Sequence, residues 1–87
     1  MMNFEYYDIP YHTRAALERY VNYGIMPGDF LVSVLTNDLF GAVGRADSQN
    51  IHALKDICMF VYNEMPSNCW GTRERVEAFC KDIMANA

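Results

Sequence analysis

Apolar positions recur along this chain with a helical period, in segments separated by glycine and proline. In the run HTRAALERYVNYG, Ala16, Leu17, Tyr20 and Val21 share one face while Arg14, Glu18 and Arg19 fall mostly off it. That spacing predicts a helix from Tyr11 or Thr13 to Tyr23, closed by Gly24 as a left-handed C-terminal cap. Pro27, at the first helical position, and Asp29, near the positive end of the dipole, announce a second helix carrying Phe30, Leu31, Val34 and Leu35. The β-branched run FLVSVL also fits a buried strand, but the proline start and the length favour the helix. Asn37 is a predicted cap for a short helix through Leu39, Phe40, Ala42 and Val43, weakened by Gly41 and Gly44. Those two glycines read as a close-packing device, since they lack the longer phosphate-cradle pattern and its lysine.

Asp47 or Ser48 opens the longest predicted helix, which runs to Glu64. Its expected inner stripe is Ile51, Leu54, Ile57, Cys58, Val61 and Met65, widened by Phe60 and Tyr62, which makes it the central helix. Pro66, Ser67 and Asn68 end it. Thr72 caps a last helix with Val76, Phe79, Cys80 and Ile83 on one face, and Arg73, Glu74, Glu77 and Lys81 on the other. Glu77 and Lys81 are expected to pair, in the favourable i, i+4 orientation. Ahead of Pro10 stands an acidic and aromatic arm, in which Phe4, Tyr6 and Tyr7 alternate as a short strand or extended segment laid on the surface. The predicted fold is all-α: a compact bundle of four to five helices in residues 10–87, with a short extended N-terminal arm over residues 1–9.

Composition narrows the function more than the fold. Eighty-seven residues, 52% apolar and 14% aromatic, provide one core; a chain of this length buries about 60–65% of its unfolded surface. Two domains and a cleft between lobes are excluded. A net charge of −4 from seven basic and eleven acidic residues argues against a general nucleic-acid binder, which needs a basic face. The predicted second helix is too apolar to read a major groove, so the helix-turn-helix spacing of the first two helices carries no DNA recognition. The opening residues have no signal-peptide pattern and no stretch reaches the ~20 apolar residues of a membrane span. With three cysteines and no C-x-x-C pair, a reducing, cytoplasmic setting is expected.

Candidate chemistry is sparse. Cys58 and Cys80 sit among apolar residues and read as small hydrophobes, which leaves Cys69 as the cysteine expected to be exposed. No motif supplies Cys69 with a histidine and an orienting acid. His52 and Asp56, four apart on one helix, lack a third ligand for a metal. The expectation is therefore a non-enzyme without cofactor. Trp70 reads either as a lid fixing the last helix, with Gly71 permitting the turn, or as an interface anchor. The arm residues Glu5, Tyr6, Tyr7 and Asp8, continued by Tyr11, read either as a cover over an open core edge or as the leading candidate contact strip, because acidic and tyrosine-rich surfaces grip basic partners. Asp29 and Asp38 are secondary candidates, although their places at helix starts also account for them.

The segments A-L-E-R-Y-V (16–21), P-G-D-F-L (27–31), V-L-T-N-D-L (34–39), G-R-A-D-S-Q-N (44–50) and V-Y-N-E-M-P-S-N-C-W-G (61–71) resemble a group of small uncharacterised proteins of bacteriophages, prophages and bacterial genomes. The resemblance spans residues 9 to 80 and brings no catalytic residue with it. It implies a protein that binds and blocks a host protein or ribonucleoprotein complex, such as a CRISPR–Cas effector or another defence component, in the manner of an anti-CRISPR inhibitor. The alternative is a self-associating adaptor or scaffold, for instance a homodimer, without inhibitory activity.

Overall fold

The computed structural model describes residues 2–86. Five α-helices follow in order: α1 (Tyr11–Tyr23), α2 (Asp29–Leu35), α3 (Leu39–Arg45), α4 (Ser48–Glu64) and α5 (Arg73–Ala85), with a 3₁₀ turn at Ser67–Cys69 between the last two. No strand occurs among the described residues, so the chain is all-α as its periodicity predicts.

Local chemistry explains the helix ends. Gly24 takes φ +67° and its N–H donates to Tyr20 O at 3.0 Å, closing α1. A Cβ there would lie 3.1 Å from both Cys80 O and Ile83 Cβ, so the missing side chain also lets α5 approach the end of α1. At α2, Gly28 is the N-cap and Pro27 stands outside the helix, not at its first position as predicted; Asp29 does open the first turn. The α2–α3 corner departs from expectation too. Asn37 adopts φ +63° as the left-handed residue that ends α2. Its N–H donates to Val34 O and that of Asp38 to Ser33 O, at 3.1 and 2.8 Å. This double bond pattern is the usual left-handed helix stop, with asparagine in the glycine position. The cap of α3 therefore passes to Asp38, whose carboxylate accepts from Gly41 N at 3.0 Å.

A Cβ on Gly41 would collide with the side chains of Asp38 and Arg45, whereas Gly44 faces open space. Only the first of the two glycines is thus a packing device. Asp47 caps α4 by accepting from Gln49 N and Asn50 N, and Thr72 caps α5 by accepting from Arg75 N at 3.1 Å. Backbone hydrogen bonds around Asp47, that to Asn50 foremost, together with the adjacent His12, hold its carboxyl below the ordinary value.

The core gathers Leu17 and Tyr20 of α1, Phe30, Leu31 and Leu35 of α2, Ala42 of α3, Ile57, Phe60 and Val61 of α4, and Val76 and Cys80 of α5. On α4 the predicted stripe holds at Ile57, Phe60, Val61 and the following Met65, with Leu54 half-buried, and departs from expectation at its start and edges. Asn50, Ala53, Ile57, Phe60 and Val61 turn inward, while Ile51 and Cys58 are exposed and Tyr62 lies outside altogether. The reason is polar. The Thr13 hydroxyl donates to Asn50 Oδ1 inside the protein, which draws an amide into the core and turns the apolar Ile51 out.

Two of the cysteines exchange their expected places. Cys58 is exposed, and the loop cysteine Cys69 is fully buried, its thiol bonded to Pro66 O at 3.0 Å. Trp70 is half-buried against the core with its ring 5.9 Å from that of Tyr62. Gly71 adopts φ +115° and its N–H reaches Leu35 O at 2.6 Å, which ties this loop to α2. On α5 the ion pair is Arg73 with Glu77 at 3.9 Å, one turn earlier than the expected Glu77–Lys81 pair.

Candidate functional site

The arm folds onto α4 as one turn, with no strand. Tyr7 N donates to Phe4 O at 3.0 Å, and both aromatic rings then bracket Phe60. Phe4 stacks on it at 4.3 Å and 9°, and Tyr7 meets it edge-on at 5.3 Å. Two polar ties complete the attachment. Asp8 N donates to Asp56 Oδ2 at 2.8 Å, and the Tyr7 hydroxyl donates to Glu64 Oε2 at 3.0 Å. Each tie uses a group that leaves the side chains of Glu5, Tyr6 and Asp8 unengaged and exposed. Tyr6 is 80% exposed, a large value for an aromatic residue in an anchored turn.

Tyr11, 77% exposed, extends this strip onto α1. The link is Arg14, a residue absent from the sequence-level site. Its guanidinium lies 6.0 Å from the Phe4 ring centroid and 5.7 Å from that of Tyr11, bridging arm and helix. Arginine so placed also gives the acidic strip an internal cation. Phe4 likewise escaped the sequence-level site, because two residues apart in an extended segment Phe4 and Tyr6 would share a face, and only the packing on α4 separates them.

The seven expected contact residues do not all meet. Glu5, Tyr6, Asp8 and Tyr11 lie exposed on the arm and the start of α1, and Tyr7 is half-buried in its anchor. Asp29 is exposed and borders a hollow of about 230 Å³ with His12, the neighbour of Tyr11. Asp38 sits at the other end of α2, where it caps α3 and stands 3.8 Å from Arg45. Its carboxylate is thereby occupied within its own corner of the fold.

Asp56 is taken up by the arm, and His52 lies exposed beside a shallow hollow shared with Asp8 and Pro10. Among the described residues no group of three or more His, Cys, Asp or Glu side chains is arranged to hold a metal. Burial pushes the Cys69 thiol up to about 11, so it is protonated at neutral pH and is no nucleophile there. Among the described residues no helix is long and apolar enough to cross a membrane. No family model, curated protein or solved structure matches the chain.

Proposed function

We propose that this protein is a non-catalytic binding module that occludes a basic surface of a larger protein or ribonucleoprotein, with the arm and Tyr11 as its contact strip. The observation that carries the reading is the division of labour within the arm. Phe4, Tyr7 and the Asp8 backbone anchor it, while Glu5, Tyr6 and the Asp8 carboxylate project from the anchored turn. An anchored strip costs little ordering entropy on binding, and its carboxylates and phenol suit Lys and Arg side chains that otherwise hold phosphates. The resemblance of the quoted segments to phage and prophage proteins supports a host defence complex, a CRISPR–Cas effector among them, as the partner.

The test is a charge reversal that spares the anchors. The Glu5→Lys, Asp8→Lys double variant keeps both backbone and aromatic ties, so its circular dichroism and melting temperature should match the parent. Capture of a bacterial complex on the immobilised parent protein, released between 0.1 and about 0.5 M salt, should be lost in the variant. Equal capture by both proteins overturns the strip.

A further inference from the structure

Helix α3 shows an apolar face that the contact strip does not use. Phe40 is 87% exposed, Leu39 61% and Val43 47%, although α3 is packed closely on α2 through the buried Ala42. These three residues fall at i, i+1 and i+4 and so form one continuous ridge on the outer side of the helix. Leu39 continues it across a notch of about 70 Å³ to Val34 and the exposed Cys58.

We infer that this face is the two-fold interface between two copies of the chain, with Phe40 of each copy seated over Gly44 of the other. Three observations select a second copy as the occupant. The first is shape. Phe40 is a knob, and Gly44, one turn further along the same outer face, has open space where a Cβ would stand. Antiparallel apposition of two such helices brings knob to hole twice, which is the self-complementarity a two-fold contact requires.

The second is area. The exposed parts of Phe40, Leu39 and Val43 amount to on the order of 400 Å² of apolar surface. A stable interface buries about 800 Å² per partner, of which roughly 450–520 Å² is apolar. Val34 and Cys58 at the rim supply much of the remainder. The third is charge. The face itself carries no acidic or basic side chain, and the charges at its ends, Asp38 and Arg45, stand 3.8 Å apart within each copy. A partner chosen by electrostatics would find nothing to read here, in a protein whose net charge is −4. The interface lies on α3, away from the arm, and is independent of the reading of the contact strip.

Sedimentation velocity of the full chain between about 1 and 200 µM tests it, at low salt and at 0.5 M salt. The parent should move from the 10.0 kDa monomer toward twice that mass as concentration rises, with no loss of association in high salt. Phe40→Asp should remain monomeric throughout. Gly44→Gln is the sharper variant, because a Cβ at this position meets nothing within the monomer and glutamine is the better helix former. It should stay monomeric while its denaturation midpoint, read where the parent too is monomeric, falls no lower than the parent's. A parent that remains at 10.0 kDa across the range overturns the interface, as does a Gly44→Gln protein that dimerises like the parent. A monomeric parent that loses capture of a different protein on Phe40→Asp assigns the face to that protein, and equally overturns it.

Discussion

The Tyr20 hydroxyl donates to Cys69 O at 2.6 Å, in a place where neither residue meets water. This bond fastens the 3₁₀ turn to α1, and burial favours the neutral form of both side chains. Tyr20 is displaced upward from its ordinary value, chiefly by that burial, and the Cys69 thiol is pushed up to about 11. The consequence for stability has a definite sign. A group whose folded pKa exceeds its unfolded one contributes fully below the unfolded value and loses that contribution as pH rises through the folded one. For Cys69 the window runs from about pH 9 to about 11, and Tyr20 adds to the same trend at the upper end. Urea midpoints should therefore hold level up to pH 8.5 and fall between pH 9 and 11. Cys69→Ala should start from a lower midpoint, because it leaves a cavity, and should show a shallower fall. An equally steep fall in that variant would place the alkaline sensitivity elsewhere.

At the scale of elements, the joints matter more than helix interiors. Gly24 serves two purposes at once, the left-handed φ of +67° and the 3.1 Å approach of α5. Gly24→Ala should cost about 1–2 kcal/mol for the backbone alone, with further loss from the crowding of Ile83. Thermal melts should register this as a drop of roughly 4–16 °C, at 4–8 °C per kcal/mol for a domain of this size. A drop under a few degrees would mean that residue 24 leaves the left-handed conformation at little cost to the joint. Gly24 was legible because its φ follows from one residue type at one place, and so were the caps Asp47 and Thr72. The corner at Asn37 was less so, because asparagine serves as a cap and as a left-handed residue with almost equal ease, and only the neighbouring Asp38 decides between them. The phase of α4 was legible in part: Ile57, Phe60, Val61 and Met65 are buried as the spacing predicts, while Ile51, Cys58 and Tyr62 are not. Hydrophobicity alone cannot anticipate that Asn50 turns inward to meet Thr13, and once it does Ile51 and Cys58 must face out.

For the molecule as a whole, the arm completes the burial of the inner face of α4. Phe60 is fully buried, and the rings of Phe4 and Tyr7 are part of what covers it. The sequence marked these first residues as aromatic and acidic but could not divide them, since the partner that separates Phe4 from Tyr6 lies more than fifty residues away on α4. The division has a measurable consequence. Phe4→Ala removes a stacked ring that is about half-buried, and should cost roughly 2 kcal/mol. The melting temperature should fall by about 8–16 °C, whereas Tyr6→Ala, which removes an 80% exposed ring, should leave it within about 2 °C. Binding should respond in the opposite order at temperatures where both variants are folded, with Tyr6→Ala the more damaged. If instead Phe4→Ala melts like the parent, the arm rides on α4 without holding it. The strip would then be a flexible tail that orders only on contact, and its affinity would carry the entropic cost that an anchored turn avoids.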